Sequence, residues 1–225
     1  MTLKDLIKQF RRERDDAVRP YKWTDDDVFA YLNSAYDEVC ERALLVEDKT
    51  TADCCVITMV QTQSVYPLHA AVIQVKRVTY GGKVITVSSV EKEDGNDLVW
   101  ETRNGPPSRY ILANDTTIQF TPTPDAASVA THDYINLTVY RRLLVPYTKD
   151  SNKDLELLDV PAIYHQRMLP WMYSRALRKN DTQTIDLEGA GEQEAIFERA
   201  FGVRPDANVQ RKRRDRRPPV VRIRW

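Results

Sequence analysis

The sequence contains few of the residues from which phosphate, metal and catalytic sites are built. Its 225 residues include only seven glycines and three histidines. The glycines form no phosphate-binding loop, and His69, His132 and His165 show neither HxxxH nor CxxC spacing. No nucleophile–base pair stands out. We therefore predict no metal, no cofactor and no enzymatic activity, and we expect His165 at the surface or at a helix end.

Cysteine and long apolar runs are also scarce. The three cysteines are Cys40, Cys54 and Cys55. Cys54 and Cys55 begin a predicted strand, in which neighbouring side chains point to opposite faces, so a bridge between them is not expected. We predict three free thiols in a reducing compartment. No apolar run approaches the roughly 18–20 residues of a membrane span, and the start lacks the apolar core of a signal peptide. We expect a soluble protein made in a cytoplasm, with no membrane partner.

Four segments have the 3.6-residue apolar period of amphipathic helices. Thr2 and Thr24 are candidate N-caps of the first two, each followed three residues later by an aspartate that can complete a capping box. We assign the aspartates of residues 25–27 to the helix N-terminus, where the dipole favours negative charge, rather than to a metal site. The predicted helices start at residues 3, 24, 159 and 184, and end near residues 15–18, 46, 179 and 201.

The segment between the second and third helices is rich in Val, Ile, Thr and Tyr, and turn residues recur about every ten positions. This pattern is typical of an antiparallel sandwich or barrel-like module. Gly81-Gly82 is a candidate hairpin turn, and residues 88–97 are a candidate short helix. The predicted strands cover residues 54–62, 72–80, 83–87, 110–113, 116–120 and 135–142.

These patterns predict an α+β protein: an antiparallel four-helix bundle with an inserted antiparallel β-sandwich-like module and an extended basic C-terminal arm. Residues 1–50 would hold helices one and two, and residues 51–145 the β-module. Residues 146–203 would hold helices three and four. Residues 204–225 form what we call the arm.

The arm differs from the rest of the chain in charge. It carries nine Lys or Arg and two Asp, a net charge of +7, whereas the whole chain sums to zero, so residues 1–203 carry −7. Burying such a segment in the protein's own core would be costly, because its charges must stay solvated or be paired. We therefore expect the arm to contact a partner.

The closing residues of the arm alternate apolar and basic side chains, as in a strand with one buried face. This favours a protein partner. A nucleic-acid-binding tail that contacts phosphates is the alternative. The candidate partner-binding residues are Arg211, Lys212, Arg213, Arg214, Arg216, Arg217, Val221, Arg222, Ile223, Arg224 and Trp225.

Several segments, taken in order, resemble the phage head-to-tail adaptor, or connector, proteins. The first is PYKWTDDD at residues 20–27, which leads into YLNSAYDEVCERA at residues 31–43. Further segments are VYRR at 139–142, VPAIYH at 160–165, LPWMYSRAL at 169–177 with KND at 179–181, and FERAFG at 197–202. The likeness covers about residues 1–203. The arm matches the family in position and charge rather than in its letters.

The resemblance implies a structural virion protein of the neck or tail, assembled in the host cytoplasm. Such adaptors form a ring, expected to hold twelve copies, beneath the portal protein. The C-terminal extension docks on the portal, and the β-module faces a tail or nozzle protein. Genomic DNA passes through the lumen without specific binding, which suits an acidic body, and leaves by this route during genome ejection.

Overall fold

The computed structural model describes residues 1–112, 114–151, 159–180 and 185–206. Within them the chain divides into two compact units. Unit 1 comprises Met1–Val46 and Arg141–Arg204, and unit 2 is built on Glu47–Tyr140. Each is described by itself.

The described residues form seven α-helices and eight strands. The helices are α1 (Leu3–Glu13), α2 (Asp25–Ala43), α3 (Ala52–Cys55), α4 (Val90–Asn96), α5 (Ala126–Thr131), α6 (His165–Leu177) and α7 (Leu187–Phe201). The strands are β1 (Glu47–Asp48), β2 (Val56–Thr58), β3 (Val65–Pro67), β4 (Val72–Tyr80), β5 (Lys83–Ser88), β6 (Arg109–Ile111), β7 (Thr117–Thr121) and β8 (Tyr134–Arg141). Short 3-10 turns lie at Trp100–Thr102 and Ala162–Tyr164.

In unit 1, α6 packs against α1, α2 and α7. The shared core is built from the predicted apolar stripes and includes Phe10, Leu32, Met172 and Phe197, which are almost fully buried. Both predicted capping boxes are present, at Thr2 with Asp5 and at Thr24 with Asp27. These helix starts were predictable because a capping box satisfies helix N–H groups with residues three positions apart.

Unit 2 contains one mixed sheet. Its strand order is β1-β8-β4-β5-β6-β7-β3, and β2 also pairs with β8. The predicted turn at Gly81-Gly82 is confirmed: both glycines have positive φ and join β4 to the antiparallel β5. β5 and β6 then pair in parallel, which requires a crossover, and the chain supplies it with α4 and the 3-10 turn at Trp100–Thr102.

The two ends of unit 2 lie side by side. Glu47 pairs with Tyr140 and Asp48 with Val139 in the antiparallel β1–β8 ladder. The chain therefore enters and leaves this unit at adjacent positions of one sheet.

The predicted fold class is wrong in its architecture, although the α+β class holds. A four-helix bundle with an antiparallel sandwich does not describe this protein, whose described residues form seven helices and a single mixed sheet. Three of the helices, α3, α4 and α5, lie within residues 47–140. The parallel β5–β6 pair joins segments separated by a crossover, and short-range turn spacing carries no information about such pairing.

The predicted strand at residues 54–62 is also wrong in its first part. Residues 52–55 form the short helix α3, and β2 begins only at Val56. The Asp48 carboxylate accepts hydrogen bonds from the backbone N–H groups of Thr50 and Thr51. Those bonds set the turn that leads into α3, and they override the strand preference of a short apolar run.

Candidate functional site

The candidate partner-binding residues of the arm, Arg211 to Trp225, lie outside the described residues. The structure does describe where the arm joins unit 1. That attachment comprises the end of α7, the face of α2 that it meets, and Arg204, the first basic residue of the arm.

Helix α7 ends at Gly202, as the sequence predicted. Gly202 has φ of 84°, and its N–H donates to the Glu198 carbonyl oxygen at 2.7 Å. A positive φ is costly for residues with a side chain and easy for glycine. The chain can therefore leave the helix abruptly at this position.

Arg42 on α2 fixes this helix end. Its guanidinium donates to the Gly202 carbonyl oxygen at 3.0 Å and to the Glu38 carboxylate at 2.9 Å. The Arg42 side chain is only 2 % exposed, and its guanidinium lies 5.1 Å from the ring centroids of both Trp171 and Phe197. Buried charge pairs with several hydrogen bonds hold one geometry. The start of the arm is thereby tied to the core of unit 1.

Arg204 makes a second, looser connection to α2. Its guanidinium lies 3.6 Å from a Glu38 oxygen and 3.4 Å from a Glu41 oxygen, and its side chain is 63 % exposed. Exposed ion pairs contribute little stability. The contact therefore adds only a weak ion pair between the first residue of the arm and α2.

A cleft of about 660 Å³ in unit 1 opens at Arg204. Its charged lining residues are Asp37, Glu38, Glu41, Glu194, Arg142, Arg175, Arg178 and Arg204. Burial raises the pKa of Asp37, and nearby Arg142 opposes this rise. Because positive and negative side chains balance, the cleft selects neither simple anions nor simple cations.

Unit 2 contains one cluster with metal-ligand chemistry among the described residues. Asp48, Cys54 and Cys55 are buried, and their ligand atoms lie within 4.8 Å of one another. The Asp48 carboxylate already accepts hydrogen bonds from Thr50, Thr51 and the Cys55 thiol. Burial, together with hydrogen bonds to Cys54 and Asp48, raises the pKa of Cys55 to about 12. The three side chains are close together because the Asp48 carboxylate accepts the hydrogen bonds that form this buried turn.

The cysteine and histidine predictions have mixed outcomes. All three cysteines are free, as predicted. Cys54 and Cys55 do not point to opposite faces of a strand, however: both are in α3, with their sulfur atoms 3.6 Å apart. His165 is not at the surface, because its side chain is buried and its Nε2 lies 2.8 Å from the Val160 carbonyl oxygen. Its predicted place at a helix end is confirmed, since it is the first residue of α6.

The aspartates of residues 25–27 are helix N-terminal charges, as predicted. Asp27 completes the capping box, and Asp25 lies 2.6 Å from the Arg11 guanidinium. Sequence reasoning missed the structural roles of Arg11 and Arg42. The i, i+4 spacing of Glu38 and Arg42 was the available signal, but such pairs are common on exposed helices and do not by themselves indicate burial.

Within the described residues, none of the helices combines the length and the apolar character needed to traverse a lipid bilayer. A search of curated proteins gives no match. A family model described as SU10 adaptor protein matches residues 1–224. That match runs through both units and into the arm.

Proposed function

The chain belongs to the SU10 adaptor protein family, and from this membership we propose that it forms a ring beneath the portal of a tailed phage. The family is one of structural phage proteins. In our proposal the arm docks on the portal protein, the ring provides the platform for a tail or nozzle protein, and the assembled protein resides in the virion neck. The observation that carries the proposal is the family match over residues 1–224.

The attachment of the arm supports a docking role. Arg42 holds the end of α7 through the Gly202 carbonyl oxygen, and Arg204 lies against α2. From Arg204 to Trp225, an extended chain at about 3.3 Å per residue reaches roughly 70 Å. The arm can therefore span to a separate protein while its base stays fixed on unit 1.

The chemistry of the arm defines the docking surface that it fits. Val221, Ile223 and Trp225 supply an apolar edge that can add to a sheet or fill apolar pockets. The basic cluster of residues 211–217, with Arg222 and Arg224, pairs with acidic groups on the portal and speeds the encounter. An acidic surface with apolar pockets is the partner that this pattern favours.

The acidic remainder of the chain suits a DNA passage. Residues 1–203 carry a net charge of −7. A ring of about twelve such copies would present a lumen that weakly repels duplex phosphates, so genomic DNA would pass without being held.

Deletion of residues 211–225 tests the docking role. We expect the truncated protein to keep its helical circular dichroism and its melting temperature, because the helices and strands that the structure describes all end before residue 207. We expect it to lose binding to the purified portal protein. The measurements are thermal melting and sedimentation with portal.

A second variant separates charge from apolar contact. Val221→Ser/Ile223→Ser/Trp225→Ser keeps every basic residue and removes the apolar edge. We expect weakened portal binding from this variant as well. Full portal binding by the deletion protein would refute the docking role of the arm.

A further inference from the structure

One side of α1 forms a basic groove with an apolar floor. The groove, of about 370 Å³, has the exposed cationic side chains of Lys8, Arg12 and Arg19 at its rim. Ile7, Ala17 and Tyr21 line its floor. Lys8 and Arg12 are four residues apart on α1, so they lie on one stripe of the helix, about 6 Å apart along its axis.

Two of the three rim cations, Lys8 and Arg12, are not used within the described part of unit 1, whereas the Arg19 guanidinium lies 5.5 Å from the centroid of the Tyr21 ring. The acidic residue of the groove, Asp25, is bound to Arg11, whose guanidinium also pairs with Asp16 at 2.5 Å. Arg11 is itself buried and stacks over Tyr21. By contrast, neither Lys8 nor Arg12 forms an ion pair with any described residue. Their charge is available to a partner.

The exposed face of α7 has the opposite character. Glu188 and Glu192 are exposed and four residues apart, and Ile196, 44 % exposed, continues the same stripe. The other carboxylates of α7 are engaged, since Glu194 pairs with Arg178 and Glu198 lies 3.7 Å from Arg42. In the described structure Glu188 and Glu192 pair with no cation.

The two stripes match in charge and in spacing. In an antiparallel arrangement of the two helices, Lys8 faces Glu192 and Arg12 faces Glu188, both at the same axial spacing. Ile196 then lies level with Lys4, which also lines the groove one turn of α1 before Lys8. Opposite charges in register give an interface both attraction and specificity.

We propose that the basic groove on α1 binds the Glu188–Glu192–Ile196 stripe of α7 from a second copy of this chain. The contact is head-to-tail, because it joins two different surfaces of the same protein, and repeated head-to-tail contacts close into a ring when the rotation between copies allows it. The inference rests on the proposed ring and names the surfaces that would hold neighbouring copies together.

A second copy fits the groove better than duplex DNA. Phosphates would satisfy Lys8, Arg12 and Arg19, but they offer nothing to the floor of Ile7, Ala17 and Tyr21. The α7 stripe supplies both the carboxylates and an exposed isoleucine.

Zero-length coupling of lysine to carboxylate tests the contact directly. Isotope-labelled and unlabelled copies are mixed, assembled on the portal protein, and treated with a carbodiimide. We expect mass spectrometry to find Lys8 coupled to Glu192 or Glu188 between a labelled and an unlabelled copy. If neighbouring copies couple only through other residues, this inference is wrong, but the proposed ring stands. A complex that holds a single copy would overturn the ring and the inference together.

Charge reversal provides the second test. Lys8→Glu/Arg12→Glu and Glu188→Lys/Glu192→Lys should each weaken association between copies at least about tenfold, and the combined variant should recover to within about threefold of the original protein. Lys83→Glu/Lys92→Glu is the control. It replaces two exposed lysines of unit 2, makes the same change in net charge as Lys8→Glu/Arg12→Glu, and should have no effect on association between copies.

No recovery in the combined variant would overturn the pairing. If Lys8→Glu/Arg12→Glu lowers affinity for duplex DNA and leaves association between copies unchanged, the groove binds DNA and the inference fails.

Discussion

At the scale of single residues, Arg42 has the most connections of any side chain in the attachment of the arm. It joins α2 to the end of α7 by contacting Glu38, Glu198 and the Gly202 carbonyl oxygen. Glu38 is itself buried, with 7 % of its surface exposed. Among the described residues, removing the guanidinium would leave the buried Glu38 carboxylate with only the exposed Arg204, 3.6 Å away, as a cationic partner.

We therefore expect Arg42→Met to lower the free energy of unfolding by about 3 kcal/mol, because breaking one side of a buried ion pair leaves the other charge uncompensated. Chemical denaturation measures the change. Arg199→Met, at an exposed position of α7, is the matched control and should change stability by less than about 0.5 kcal/mol.

The double variant Glu38→Gln/Arg42→Met should recover part of the loss, since it removes the uncompensated charge. A loss below about 1 kcal/mol for Arg42→Met alone would contradict the structural role of this arginine.

At the scale of secondary-structure elements, α2 shows what local sequence specifies. Thr24 and Asp27 exchange hydrogen bonds, in which the Asp27 N–H donates to the Thr24 hydroxyl at 3.2 Å and the Thr24 N–H donates to the Asp27 carboxylate at 2.9 Å. The same carboxylate accepts from Lys179 at 2.9 Å, which links the start of α2 to the segment after α6.

Thr24→Ala should destabilise the protein by about 1 kcal/mol, the usual cost of losing a side-chain N-cap. Thr24→Ser keeps the hydroxyl and should stay close to the original stability. Thermal melting of both variants checks the prediction, and equal melting temperatures for the two would show that the cap contributes nothing.

Prediction from sequence succeeded where the determinants lie a few residues apart. The capping boxes at Thr2 and Thr24, the end of α7 at Gly202 and the turn at Gly81-Gly82 depend on neighbouring residues alone. It missed α3 although the signal was local, because the strand preference of a short apolar run outweighed the Asp48 side chain that accepts from the Thr50 and Thr51 N–H groups. It failed where distant segments decide, as in the pairing of β5 with β6 across a crossover. The burial of His165 and Arg42 likewise depends on packing that no local pattern encodes.

At the scale of the whole molecule, the dominant feature is the separation of charge between the arm and the remainder of the chain. A net charge of +7 on the arm and −7 on residues 1–203 allows two partners, an acidic protein surface or the phosphates of DNA. The two differ in how they respond to salt and to the loss of an aromatic anchor.

If the arm docks on the portal, Trp225→Ala should weaken portal binding by about 2 kcal/mol, as loss of an interface anchor does. Affinity for duplex DNA should stay the same in this variant. Isothermal titration of the full-length protein with portal and with DNA, at several salt concentrations, distinguishes the two partners.

The nucleic-acid alternative makes the reverse prediction. It expects DNA affinity to fall steeply with salt and portal affinity to be insensitive to Trp225. Unchanged portal affinity for Trp225→Ala would remove this residue from the anchoring role.

The paired ends of unit 2 have a consequence for how such a protein can diversify. Glu47 and Tyr140 are partners in one ladder. The residues between them therefore form an insertion whose two ends are adjacent in space. Recombination at these two positions can replace the whole of residues 47–140 without lengthening or breaking any helix of unit 1. Related phages could thus exchange this segment as a module and keep the helices of unit 1 unaltered.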